Sequence, residues 1–177
     1  MNLPIATNSE KGNSMKALVI YYSFEGNTEF IANTIAETLK IPTVRIHPVK
    51  DLTSTGFSKY VWGGGQVVMK IKPKLEPINV DFQAFDVIFL GSPIWAGTYA
   101  PPIKTLLEDG IFKDKKVFYF YTHQGGAQNA EIRAEKIISK YNQYASAAGF
   151  IFVLENQEES RKKAMAWASE CKSSIDN

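Results

Sequence analysis

The sequence predicts an α/β domain built on one doubly wound parallel sheet of five strands, with helices on both faces. Short, continuously apolar runs rich in β-branched and aromatic residues supply the strands. Amphipathic stripes at three- and four-residue spacing fall between those runs. Polar, glycine-bearing loops follow the ends of three of the strands.

Four runs stand out: residues 17–22 (Ala-Leu-Val-Ile-Tyr-Tyr), 87–90 (Val-Ile-Phe-Leu), 117–121 (Val-Phe-Tyr-Phe-Tyr) and 150–154 (Phe-Ile-Phe-Val-Leu). Their unbroken hydrophobicity suits strands covered on both faces. Residues 43–47 alternate polar and apolar before Pro48 and read as an edge strand. Ile31, Ala32, Ile35, Ala36 and Leu39 form one helical stripe, Ala134, Ile137, Ile138 and Tyr141 a second, and Ala164, Trp167, Ala168 and Cys171 a third. A shorter helix is expected from Pro101 or Pro102 to about Asp109, with proline in the tolerant first turn and Gly110 at the stop. Asn156 is a candidate cap for the last helix, with Glu158 and Glu159 placed to favour its first turn. Strands alternating with helices imply right-handed crossovers, and ligands in such sheets bind beyond the carboxyl ends of the strands.

The chain has 177 residues, 45% of them hydrophobic and 12% aromatic, which suits one domain with a substantial core. Twenty basic and 18 acidic residues leave a net charge of +2, which points to neither nucleic acid nor an anionic membrane. The single cysteine, Cys171, excludes a disulfide framework and thiol zinc sites, and fits a reducing compartment. No signal-peptide core and no stretch of about 18 apolar residues occurs, so a cytoplasmic, soluble protein is expected. Residues 1–14 are expected to be a flexible leader or an expression-derived addition, and residues 15–177 the domain. Within residues 48–81, one short helix and an irregular cover over the sheet are expected.

Three loops are the places to look for chemistry: Ser23 to Thr28, Ser92 to Thr98, and Thr122 to Gln128. The first, Ser23-Phe24-Glu25-Gly26-Asn27-Thr28, lies between a buried strand and a helix. Free amide groups at the helix start, the positive end of its dipole, a glycine and two hydroxyls make an anion site suited to a phosphate monoester. The alternative is an ordinary strand-to-helix turn with a polar cap. No lysine follows a second glycine as in a P-loop, and the spaced glycines of a dinucleotide fingerprint are missing.

Tyr22-Ser-Phe-Glu-Gly-Asn-Thr28 resembles the phosphate loop of the flavodoxin family, which reads hydroxyl, any residue, hydroxyl, Gly, any residue, Thr. Gly91-Ser-Pro-Ile-Trp-Ala-Gly-Thr98, followed by Tyr99-Ala-Pro-Pro102, is similar to that family's second FMN loop, and Thr122-His-Gln-Gly-Gly126 is similar in kind to the third. The resemblance spans about Met15 to Cys171 and implies a short-chain flavodoxin-like sheet in the order 2-1-3-4-5. It implies FMN as cofactor, with Ser23, Phe24, Glu25, Gly26, Asn27 and Thr28 around the phosphate. Ser92, Pro93, Ile94, Trp95, Ala96, Gly97 and Thr98 would line the isoalloxazine, and Thr122, His123, Gln124, Gly125 and Gly126 would close its other side. Trp95 is the expected stacking partner, the alternative being that it plugs the core below the loop. Glu25 replaces the usual second hydroxyl and is expected to face solvent, away from a phosphate it would repel.

Other candidates carry less. His47 reads as an edge-strand surface residue, and two separated histidines with no clustered cysteine or carboxylate give no metal site. Gly63-Gly64-Gly65 reads as a turn, and Lys70, Lys72 and Lys74 as a solvated face. The resemblance implies an electron carrier that exchanges with a redox partner protein, and no residue need act as acid, base or nucleophile. The rival is an NAD(P)H-dependent oxidoreductase acting on a small acceptor such as a quinone. A flavin-free interaction domain on the same architecture is a third reading.

Overall fold

The computed structural model describes residues 16–50, 72–127 and 129–176. The expected leader, the Gly63-Gly64-Gly65 turn and Lys70 lie outside those residues. The chain runs β1 (Ala17–Tyr21), α1 (Asn27–Leu39), β2 (Thr43–Arg45), a 3-10 turn (Phe82–Ala84), β3 (Val87–Trp95) and β4 (Thr98–Tyr99). It continues through α2 (Pro101–Glu108), β5 (Lys116–His123), α3 (Ala130–Ile138), β6 (Gln143–Ile151) and α4 (Gln157–Asp176).

The sheet order is β2-β1-β3-β5-β6, all parallel, with the two-residue β4 turned back antiparallel on β3. Without that ribbon it is the 2-1-3-4-5 order that the resemblance implies. The strands are apolar throughout because alternate side chains enter two separate cores. Leu18, Ile20, Ile88, Leu90, Val117 and Tyr119 face α2 and α3, meeting Ile103, Leu106, Ala134 and Ile138. Val19, Tyr21, Val87, Phe89, Phe118 and Phe120 face α1 and α4, meeting Ile31, Ile35, Ala164, Ala168 and Cys171. Proline opens α2 and Gly110 follows it in the left-handed region, as expected.

Four boundaries differ from expectation, the first being β2, which ends at Arg45 rather than His47. The last strand is Gln143–Ile151, not residues 150–154. As the sheet's edge it is built of small residues, Ala145 to Gly149, and lacks the apolar signal of its neighbours. The apolar run 150–154 straddles the strand end, where Phe152 turns to φ 47 and its amide bonds the His123 carbonyl at 3.1 Å. Residues 91–95, read as loop, continue β3. Helix α3 ends at Ile138, which leaves Tyr141 beyond it and exposed.

Between residues 72 and 80 the chain is extended. Pro48 bridges Leu75, and the Glu76 amide bonds the His47 carbonyl at 2.8 Å. Thr105 on α2 holds this segment through the Pro73 carbonyl at 2.9 Å. Lys72 pairs with Asp109 at 2.6 Å. Among the described residues, no helix is long and apolar enough to cross a membrane.

Candidate functional site

The three loops leave adjacent parallel strands at their carboxyl ends, and the structure joins them directly. The Thr28 and Thr122 hydroxyls are 2.8 Å apart, a bond between residues 94 positions apart that ties the first loop to the third. A Cβ added to Gly97 would lie 3.5 Å from the Gly126 carbonyl, so the second loop touches the third. Arg133 of α3 braces the second loop from outside, donating to the Gly97 carbonyl at 3.3 Å.

In the first loop Gly26 takes φ 92 at the α1 N-cap, a conformation that glycine adopts without strain. No side chain caps the helix from that position; instead the Ser23 hydroxyl accepts the Glu29 amide at 3.2 Å. Because Ser23 accepts, its own proton stays available for an acceptor in the loop. The Thr28 and Thr122 pair uses one of its two protons internally and retains the other. Both threonines are buried, at 1% and 3% exposure. Helix-start amides, the dipole's positive end and hydroxyls are the kinds of group that bind a phosphate monoester. The Asn27 Oδ1 accepts the Leu154 amide at 3.2 Å and fastens the loop to the turn after β6. Phe24 is half-buried and Glu25 exposed.

The second loop is a tight hairpin. β3 and β4 pair Trp95 with Thr98, and Ala96 and Gly97 form the two-residue turn with φ 49 and 72. Positive φ at both positions defines the turn that suits a twisted hairpin, and Ala96 holds it without a glycine's freedom. Ser92 is buried, accepting the Ala100 amide at 2.9 Å and donating to the Pro93 carbonyl at 2.8 Å. Pro93 and Ile94 are half-buried, and Thr98 is buried.

Trp95 does not take the expected stacking position. It is 8% exposed and belongs to the core beneath the hairpin. Its ring meets Tyr22 edge-on at 5.6 Å and Phe24 at 6.0 Å. β3 continues to residue 95, and Trp95 packs on the same side of the sheet as Ile88 and Leu90, out of step with strict strand alternation.

In the third loop Gly125 and Gly126 have φ 118 and 71, and a Cβ at either would meet nothing within 4 Å. Both glycines are exposed, three and four positions after the buried Thr122. His123 Nδ1 accepts the Gly125 amide at 3.2 Å, which places the proton of the neutral ring on Nε2. Burial, and next the charge of Lys163, hold the imidazole's pKa below its ordinary value. Gln124 is exposed. Tyr119, Tyr121 and His123 line one face of β5, with centroids 5.6 and 5.9 Å apart.

Sequence reasoning missed Arg45 and Arg133, which touch two of the loops from neighbouring elements. Arg45 binds the Ser23 carbonyl and the Glu29 carboxylate. No local pattern marks either residue, because each acts across a long sequence separation.

The fold and the three-loop site define a protein of the flavodoxin type. The family model described as Flavodoxin matches residues 16–171, and the chain belongs to that family. Among solved structures it is similar to a protein of Bacteroides uniformis assigned as a flavoprotein, with 25% identity, a TM-score of 0.71 and coverage of 88% of this chain and 99% of that one. A flavoprotein of Lactobacillus acidophilus in complex with FMN has 22% identity, a TM-score of 0.66 and coverage of 81% and 99%. A flavodoxin of Agrobacterium tumefaciens described as WrbA-like has 14% identity, a TM-score of 0.64 and coverage of 92% and 98%. No curated protein matched by sequence.

Proposed function

We propose that this chain binds one FMN and serves in electron transfer with a separate redox partner. The observation that carries the reading is the bond between Thr28 and Thr122, which joins a buried hydroxyl in the first turn of α1 to one at the end of β5, just before the exposed glycines of the third loop. Ser23, Thr28 and the amides of Gly26 and Asn27 hold the phosphate, and the glycines at 125 and 126 leave room for the rest of the nucleotide. Glu25, being exposed, faces solvent and leaves that work to amides and hydroxyls. FMN, when bound, supplies the redox chemistry. The half-buried Pro93 and Ile94 and the hairpin turn line one side of the ring site, and His123 presents an Nε2 proton from the other. Trp95 supports the hairpin from below.

The test is titration of the apoprotein with FMN, riboflavin and FAD, followed by flavin fluorescence. FMN is expected to bind tightest, and equal affinity for riboflavin would reject the phosphate site.

The charge balance favours a second reading. Carriers of this family resemble one another in being strongly acidic around the flavin, whereas this chain carries a net +2. An NAD(P)H-dependent oxidoreductase reducing a small acceptor such as a quinone would account for that. Anaerobic stopped-flow separates the two. A carrier is reduced slowly by NADH or NADPH alone, and reduction at about 10 per second, a typical enzyme turnover, would establish the oxidoreductase.

A further inference from the structure

A phosphate dianion at the first loop meets an electrostatic problem that the loop itself does not solve. Between Ala17 and Leu39, the whole of β1, the loop and α1, the sequence holds no lysine or arginine, whereas Glu25, Glu29 and Glu37 are acidic. Glu25 is exposed and faces water, which screens it. Glu29 is different: it sits in the first turn of α1, and its backbone amide is the one bonded to Ser23. A carboxylate there suits the helix dipole in the absence of ligand and opposes a second anion in its presence.

The neighbouring strand supplies the compensation. Arg45, the last residue of β2, donates through one terminal nitrogen to Glu29 Oε2 at 2.9 Å and through the other to the Ser23 carbonyl at 2.8 Å. Glu29 Oε1 accepts from the Tyr21 hydroxyl at 3.4 Å. Burial, and next the charge of Glu29, push the Tyr21 pKa up to about 12, so the phenol stays a neutral donor. The planar guanidinium thus grips the first residue of the loop and the first-turn carboxylate together, a fork that a lysine does not reproduce.

We propose that Arg45 is a positioning residue for phosphate binding: it fixes the Ser23 backbone and neutralises Glu29, so that the loop receives a dianion without repulsion from its own helix. This rests on the phosphate reading above, and Arg45 acts through Ser23 and Glu29 rather than by touching the ligand.

The experiment measures FMN and riboflavin affinities for the wild type, R45A, E29Q and the R45A/E29Q double variant, with thermal melts as the folding control. R45A is expected to weaken FMN about tenfold at low salt and less as salt rises, because the Arg45 and Glu29 side chains are partly exposed, at 33% and 37%, and their charges are partly screened. Riboflavin, lacking the phosphate, should change less than about twofold in R45A. E29Q should restore most of the FMN affinity lost in R45A, because the repulsion leaves with the carboxylate. Should R45A fail to fold, R45Q alone and combined with E29Q makes the same comparison.

Equal weakening of FMN and riboflavin in the arginine variant, or no recovery in the double variant, overturns the proposal and leaves Arg45 a structural brace. A wild type that prefers FMN, with a preference R45A leaves intact, overturns it while sparing the phosphate site. A wild type that binds both flavins equally removes the phosphate site, and this proposal with it.

Discussion

Replacing Thr28 by valine tests the bond that joins the first and third loops, because one substitution has separable consequences for folding and for ligand. Valine matches the shape of threonine and removes only the hydroxyl. The Thr122 hydroxyl, 3% exposed, then loses its partner at 2.8 Å. A buried hydroxyl left unsatisfied costs about 1 to 3 kcal/mol. The T28V variant should therefore unfold more easily by that amount in urea. Replacing both threonines by valine removes both partners and should recover most of the loss, since paired removal of a hydrogen bond is close to neutral. Ligand binding should not recover with it. A hydrogen bond to a charged acceptor contributes about 1.5 to 3 kcal/mol, so T28V should weaken FMN by roughly tenfold to a hundredfold. The double variant should be at least as weak, and riboflavin nearly unchanged in both. Fluorescence titration of the apoproteins gives the affinities, and denaturant melts give the stabilities. If FMN affinity returned along with stability in the double variant, the hydroxyls would hold only the loops, and the phosphate assignment of Thr28 would be wrong.

Other substitutions follow from the same geometry. E25Q should change FMN affinity by less than about twofold, because an exposed carboxylate interacts weakly through screened solvent; a tenfold gain would show it facing the phosphate. W95A should destabilise the fold by about 3 to 5 kcal/mol through the cavity it leaves, with the redox potential of the bound flavin little changed; a shifted potential at full stability would return Trp95 to the ring site. Burial pushes the Cys171 thiol up to about 12, so native protein should resist alkylation at pH 8 and react on unfolding. Because that raised pKa favours the protonated folded form, stability is complete below the ordinary thiol range and falls as pH rises towards 12, a loss that C171A should reduce. His123 has the opposite sign: its depressed pKa makes the protonated ring favour unfolding, so its share of stability is lost as pH falls below about 6.5, visible in an imidazole titration by NMR.

The sheet was legible in the sequence because its central strands are buried on both faces, and β1, β3 and β5 have to be apolar along their whole buried length. The edge was harder to read for the same reason. Among the described residues β6 has one strand neighbour, and it meets α4 across small residues, so its Ala-Ser-Ala-Ala-Gly stretch resembles a loop in composition. The loops themselves were legible because backbone chemistry dictates their residues. Gly26 takes a left-handed conformation, and the Ser23 and Thr28 hydroxyls stand at a helix start.

What each side chain does once placed depends on geometry that spacing does not carry. Asn27 reads as a ligand residue, and its Oδ1 also accepts the Leu154 amide, 127 positions away. Trp95 reads as a loop aromatic only while β3 is taken to stop at residue 90; the strand runs on to residue 95, and the indole packs in the core with Tyr22 and Phe24. Arg45 leaves no trace in any local window. Its two partners lie 16 and 22 positions earlier, and only the parallel pairing of β2 with β1 brings them together. Loop sequences in this fold thus carry a local pattern, while the residues that brace them, Arg45 and Arg133, sit on neighbouring elements and become visible only when the sheet is assembled.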